Sequence, residues 1–217
     1  MAHKQISLTD AVAKVKDGMS IMFGGFLCNG SANVIIDALC ESGVKNLTVI
    51  ANDSAYEDRG FGKLIANRQV KKIITSYIGA NAAAIDLMNS GELEVEFVPQ
   101  GTLAERIRSG GAGLGGVLTP TGLGTMIAEG KAVIHVDGKD YLLEKPLRAD
   151  IALIGASISD REGNLFYKGT SQNFNPIMAT AADLVIAEVE ELVETGALKP
   201  EQVHTPGIFI DYIFHTA

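Results

Sequence analysis

The stretch Met19-Ser20-Ile21-Met22-Phe23-Gly24-Gly25-Phe26-Leu27-Cys28-Asn29-Gly30-Ser31, with the segments just beyond it, decides the fold. Met19–Phe23 is a short apolar run of strand length, and the glycines of Gly24–Gly30 interrupt it as a loop. Ser31 is placed as the N-cap of a helix over Ala32–Ser42, where Val34, Ile35, Ala38 and Leu39 recur at helical spacing. Gly43 ends that helix in the C′ position, and Leu47-Thr48-Val49-Ile50 is the next strand. Strand, helix and strand in this order predict a βαβ unit with a right-handed crossover and parallel neighbours.

The pattern recurs along the chain. Lys72–Ile78 reads as a strand, Ala80–Asn89 as a helix stopped by Gly91, and Leu93–Val98 as another strand. In the last of these Leu93, Val95 and Phe97 alternate with Glu92, Glu94 and Glu96, which predicts one wet face and a place towards the sheet edge. Pro99-Gln100-Gly101 turns the chain, and Thr102-Leu103-Ala104-Glu105 has the spacing of a capping box for a short helix through Arg108, closed by Ser109-Gly110-Gly111. Gly110–Gly116 and Thr119–Gly124 are expected as loop. Ala132–Val136 and Lys139–Leu143 flank Asp137-Gly138, the signal for a type I′ hairpin. Asp150–Gly155, Leu184–Val189 and Ile208–Ile213 complete the strands. The expectation is one domain over residues 1–217: an α/β fold whose open, mostly parallel sheet is flanked by helices and carries a β-hairpin insertion.

Composition narrows the function. The chain has 217 residues, 24 of them glycine, with 47% hydrophobic and 20% charged residues. Apolar content at this level excludes intrinsic disorder, and surplus glycine with only 6 prolines points to tight turns and close backbone approach. With 18 Lys+Arg against 26 Asp+Glu the formal charge is −8, and no basic cluster exists that would displace phosphate counterions, so nucleic acid is not an expected partner. No apolar run approaches the ~20 residues of a membrane helix. The start, Met1-Ala2-His3-Lys4-Gln5-Ile6-Ser7-Leu8, lacks a signal-peptide core, and two cysteines, Cys28 and Cys40, offer no disulfide framework; both point to the cytoplasm.

Several common chemistries fail on spacing. His3, His135, His204 and His215 are scattered, with no metal spacing and no partners for a triad. There is no nucleophile elbow and no phosphate loop with its lysine. Gly111, Gly113 and Gly116 satisfy G-x-G-x-x-G, but a helix precedes them, none follows, and Asp137 belongs to the hairpin turn. The loop Gly24–Gly30 is the better candidate. It leaves a buried strand and meets a helix N-terminus at the carboxyl end of the sheet, where it reads either as a cradle for an anion or polarised oxygen or as a plain tight turn. Asn52-Asp53 and Gln100 end two further strands and converge on the same rim if those strands are neighbours. An amide such as Gln100 can donate to a developing oxyanion, or it can simply satisfy turn backbone. A convincing nucleophile is missing, since Glu105 is explained by its capping box and Glu129 and Glu144 sit on helices or beside turns.

Asp17-Gly18-Met19-Ser20-Ile21-Met22-Phe23-Gly24-Gly25-Phe26-Leu27-Cys28-Asn29-Gly30 resembles the first signature of the family I (3-oxoacid) CoA-transferases, in their α subunit. The departure is Ala32, where the family has proline. Pro99–Arg106, Gly110–Gly116, Asn173-Phe174-Asn175-Pro176 and Thr205-Pro206-Gly207 extend the likeness along the whole chain. The resemblance implies ping-pong transfer of CoA between a short-chain acyl-CoA or acetoacetyl-CoA and a carboxylate such as acetate or butyrate. It places the nucleophilic glutamate on a β subunit, in a Glu-Asn-Gly-type motif absent here, and so implies a half-enzyme, an α2β2 assembly and CoA thioester as substrate with no resident cofactor or metal. By the same resemblance Gly24, Gly25, Phe26, Leu27, Cys28, Asn29 and Gly30 form the CoA-proximal loop, Gln100 is the side-chain donor, and Asn52 shapes the pocket. The alternatives are a stand-alone sugar-phosphate isomerase or hydrolase, which needs an in-chain carboxylate base, and a non-catalytic binding subunit.

Overall fold

A computed structural model describes residues 4–216; His3 lies outside them. The helices are α1 (Leu8–Ala13), α2 (Asn33–Ser42), α3 (Gly62–Ala66), α4 (Ala82–Ser90), α5 (Gln100–Gly111) and α6 (Asn175–Ala179). The strands are β1 (Ser20–Phe23), β2 (Leu47–Ile50), β3 (Val70–Thr75), β4 (Glu94–Phe97), β5 (Val117–Thr119), β6 (Val133–Val136), β7 (Lys139–Glu144), β8 (Ala149–Asp160), β9 (Leu165–Phe166), β10 (Ala182–Val193) and β11 (Tyr212–His215). The main sheet runs β11-β10-β8-β1-β2-β3-β4, with every neighbour parallel and β9 antiparallel against β8. Gln5 continues it past β11 through a parallel bridge to Ile213, and the Ile6 N–H donates to the Ile213 carbonyl at 2.9 Å.

Alternate residues of the central strands enter two cores. Ile21, Phe23, Val49, Ile73 and Leu153 pack with Ile35, Ile36 and Leu39 of α2, Leu64 and Ile65 of α3, and Leu87 of α4. Met22, Ile50, Ile74, Ala152 and Ile154 pack on the opposite side with Leu103 and Ile107 of α5 and Met178 of α6. Burial on both faces is why β8 and β10 read as near-continuous apolar runs. The expected edge strand is at the edge: β4 is last in the sheet, and its Glu94 and Glu96 pair with Lys72 on β3 at 2.9 and 3.1 Å. Phe97, assigned to the dry face, is instead exposed at the open rim of that edge strand.

The hairpin forms as expected, with Asp137 and Gly138 both left-handed at φ 49° and 76°. It belongs to a second, three-stranded antiparallel sheet of order β5-β7-β6. A buried ion cluster ties this small sheet to the body. Arg106 of α5 donates to Glu96 at 2.9 Å and to the Lys145 carbonyl at 2.8 Å, while Lys131 donates to Glu144 at 2.6 Å. Glu144, expected beside a turn, is thus a buried anchor at the end of β7. Burial opposes ionisation of Glu96, yet its bonds to Arg106 and Lys72 outweigh that and hold the carboxyl below its ordinary range.

Local signals misled in several places. Ser31 does not cap α2: Ala32 holds the N-cap position, and the Ser31 hydroxyl donates back to the Gly24 carbonyl at 2.9 Å. Glu188 of β10 caps the helix from across the fold, accepting from the Val34 and Ile35 N–H groups at 3.1 and 2.8 Å. Thr102 opens no helix either. Pro99 ends β4's exit with φ −52° and α5 starts at Gln100, so Thr102 lies inside the first turn and Glu105 pairs with Arg108 at 3.2 Å. That helix runs on through Gly111, leaving Ala112–Gly116 as the loop. The third strand begins two residues early and ends at Thr75. Helix α4 starts at Ala82, where the Asn81 carboxamide accepts from the Ala84 N–H. At the carboxyl end Gly207–Phe209 is a short 3-10 turn held by the Lys4 ammonium, which donates to the Gly207 and Ile210 carbonyls, both at 2.6 Å, and the strand follows only at Tyr212.

Two tests follow from this packing. Gly24 leaves β1 against Asn175 of α6, and a Cβ there would overlap the Asn175 carboxamide oxygen. Gly24→Ala should lower the unfolding free energy by about 1–3 kcal/mol, read from urea melts; stability equal to wild type would show that the Asn175 amide can move aside without loss. Asp150 accepts from both the N–H and the hydroxyl of Ser20 at 2.7 Å, which holds its carboxyl below the ordinary aspartate range. A carboxyl depressed in the folded state adds stability above its unfolded value, about 3.9, and loses it as pH falls through the lower folded value. Asp150→Asn should therefore lower the melting temperature at pH 7, with the difference closing in acid; a gap independent of pH would show that charge plays no part.

Candidate functional site

The topology sets β1, β2, β3 and β4 side by side, so the loops after β1, β2 and β4 meet at one carboxyl rim. There the structure joins all three candidate segments. The Leu27 N–H of the glycine loop donates to the Asp53 carboxylate at 2.9 Å. The Asn52 amide donates to the same carboxylate oxygen at 2.8 Å, and the Gln100 amide donates to the Asn52 carboxamide oxygen at 2.5 Å. Asp53 also accepts from the Ala55 N–H at 2.7 Å, and Asn52 and Asp53 are both buried.

The loop Gly24–Gly30 folds as a narrow turn. Phe26 and Asn29 exchange two backbone bonds at 3.1 and 3.0 Å, with Leu27 and Cys28 left-handed at φ 44° and 69° between them. For non-glycine residues that conformation costs free energy, and surrounding contacts hold it in place. Asp53 grips the turn at Leu27, Asn173 accepts from the Gly25 N–H at 3.1 Å, and Asn29 donates to Thr170 at 2.9 Å. Asn175, fully buried, donates to the Gly30 and Ser171 carbonyls at 2.9 and 2.8 Å and accepts from the Gly155 N–H at 3.2 Å. Ala32 has φ −77°, near the proline value, so the backbone keeps the conformation that proline presets in the family signature.

The electrostatics differ from those expected of a helix-terminus anion cradle. Five of the seven loop amides already donate within the protein, leaving Cys28 and Gly30 without an acceptor among the described residues. The first turn of α2 is taken by Glu188. Burial raises the Glu188 carboxyl above its ordinary range, against the pull of the Ile35 and Val34 amides. Burial likewise pushes the Cys28 thiol up, which keeps it protonated and unsuited to attack.

Gln100 is exposed and opens on a cleft of about 390 Å³, walled by Phe26, Ala104, Phe174 and Ile177, with Arg108 and Asn173 at its polar side. No carboxylate lines it. The sequence reading passed over Asn173, Asn175 and Glu188 as functional neighbours. The first two stand in the quoted Asn173-Phe174-Asn175-Pro176 string, which carried no role; Glu188 gave no signal, because its partner is 153 residues away. Of the histidines, His204 accepts from the Tyr167 N–H at 3.2 Å and His135 meets Asp140 on the hairpin surface at 2.7 Å, and neither lines the Gln100 cleft. Among the described residues no cluster of His, Cys, Asp and Glu is placed to hold a metal, and no helix is long and apolar enough to cross a membrane.

Comparison with known proteins agrees with this architecture. The acetate CoA-transferase subunit alpha of Escherichia coli K12 is 54% identical over 213 residues, which is 98% of this chain and 97% of that one. The acetoacetyl-CoA:acetate/butyrate CoA transferase alpha subunit of Clostridium acetobutylicum is 58% identical, with 98% of each covered. Among solved structures, the glutaconate coenzyme A-transferase of Acidaminococcus fermentans superimposes with a TM-score of 0.87 at 21% identity, over 98% of this chain and 75% of that one. An acyl-CoA transferase of Escherichia coli O157:H7, in a thioester complex with CoA, gives 0.86 at 23% identity over 99% of this chain, which spans 47% of that longer one. These two likenesses establish the fold, and nothing in the comparisons favours an isomerase or hydrolase. The Coenzyme A transferase profile matches residues 5–216, so the chain belongs to the coenzyme A transferase family.

Proposed function

We propose that this chain, acting as one domain over residues 1–217, is the α subunit of a two-subunit transferase. It would move CoA between acetoacetyl-CoA or a short-chain acyl-CoA and a carboxylate such as acetate or butyrate. The names of the Escherichia coli and Clostridium relatives support that substrate range. One observation carries the two-chain reading: the carboxylate that the Gln100–Asn52 pair touches is engaged, and none lines the cleft. Asp53 accepts three N–H donors, Glu188 caps α2, and the Gln100 cleft has no carboxylate in its lining. A nucleophile that must attack a thioester therefore comes from elsewhere, in this reading from a glutamate of a β subunit, within an α2β2 assembly.

The division of labour follows. The partner's carboxylate attacks the thioester carbonyl, CoA leaves as thiolate, and the thiolate returns on the resulting anhydride to give an enzyme thioester and the free acid. The second acid then runs these steps in reverse. Gln100 has one N–H on Asn52 and a second to offer the oxygen on which charge develops, while Asn52 fixes its direction. Gly24–Gly30 forms the CoA-proximal wall, with the free amides of Cys28 and Gly30 as its donors. With a chain charge of −8, the phosphates of CoA rely on those amides, Arg108 and partner cations. The reaction needs no resident cofactor, and unpaired Cys28 and Cys40 suit a cytoplasmic enzyme.

Exchange of labelled acetate into acetyl-CoA tests both claims. The folded chain alone should give none, and addition of the β subunit should restore it; exchange by the chain alone would place the nucleophile here and end the two-chain reading. In the assembled enzyme Gln100→Ala should lower kcat by about 10²–10³-fold. Turnover near wild type in a normally assembled variant would remove Gln100 from the reaction.

A further inference from the structure

Asp53 accepts hydrogen bonds and cannot donate them when ionised, and that one-way chemistry propagates. Its Oδ2 faces the Asn52 side chain at 2.8 Å, so the group Asn52 presents there must be its Nδ2. The Asn52 Oδ1 is thereby turned to Gln100, and Gln100 must answer with Nε2, at 2.5 Å. A carboxamide has two faces of nearly equal shape, and either amide alone could sit reversed. Anchored to a carboxylate, neither can: reversal of Asn52 would set an oxygen against Asp53, and reversal of Gln100 would set an oxygen against Asn52.

Building on the role proposed for Gln100, we infer that Asp53 is a positioning residue for the transfer reaction, fixing through Asn52 which atoms Gln100 shows to the cleft. Its second bond on the same oxygen, from the Leu27 N–H, locks the glycine turn to the same anchor, and the Ala55 N–H holds the other oxygen. Three donors thus leave the carboxylate no freedom to rotate. In Asp53→Asn a single carbonyl oxygen must serve positions where two oxygens now accept. If the amide nitrogen falls on the Asn52 side, Asn52 reverses and Gln100 reverses after it, turning the Gln100 oxygen towards Asn52's nitrogen and moving the Gln100 donor away from its present position.

The test is a cycle in the assembled enzyme, with acetyl-CoA and labelled acetate as the probe. Asp53→Asn and Asn52→Ala should each lower kcat by on the order of 10- to 100-fold, with the KM for acetyl-CoA little changed. In a Gln100→Ala background neither substitution should cost more than about twofold, because the group they orient is gone. Losses from Asp53→Asn that persist in full in that background, or a change confined to KM, would overturn the inference and leave Asp53 as support for the turn alone. If Asp53→Asn fails to fold, Asn52→Ala cuts the same relay while leaving the Asp53 bonds to Leu27 and Ala55 in place, and its coupling to Gln100 decides. A harmless Gln100→Ala would instead defeat the role of Gln100 on which this rests, a result the single variant reports by itself.

Discussion

The rim depends on one buried carboxamide. Asn175 joins the exit of the glycine loop at Gly30, the turn at Ser171 and the middle of β8 at Gly155, and it can do so only because Gly24 has no side chain. A polar group this deep has no water to fall back on, so each of its bonds is held by the cost of leaving it unmade. Asn175 fixes where the Gly24–Gly30 loop ends, while Asp53, Asn173 and Thr170 hold the turn within it.

A few anions of this protein are turned inward to fixed partners. Glu188 answers the amides of α2, Asp53 the amides of the rim, and Glu144 and Glu96 the cations that bind the small sheet to the body. Each of these anions has its partners fixed, and none of them lines the cleft. The cleft walls are instead apolar, with a guanidinium and amides at one side.

What the sequence disclosed and what it hid divide by distance along the chain. The βαβ unit from Met19 to Ile50 and the Asp137-Gly138 hairpin could be read because propensity and period act over a few residues. The convergence of Asn52 and Gln100 was expected on condition that their strands lie side by side, and only the family resemblance implied a role for each. Capping was misread twice for one reason. Ser31 and Thr102 have the residue types of caps, but Glu188 and Pro99 hold the helix starts, and the first of these comes from a strand on the other side of β8. The short helices α1, α3 and α6 were passed over because five or six residues give too few turns for a period to show. Asp53 was seen as a polar strand end, while its bond to Leu27 could be found only from the packed loops.

Both borders of the main sheet are short. On one side residues 4–6 lie along β11, where the Ile6 N–H and the Lys4 carbonyl pair with Ile213. On the other, β4 is four residues long and carries two glutamates tied to Lys72. Short, charged borders do not template a strand from another molecule. Such borders therefore disfavour growth of the sheet across a subunit boundary and leave recognition of a neighbour to the faces and loops. Such contact is selective by shape, and it spares the chain the ribbon-like self-association that an open sheet border invites.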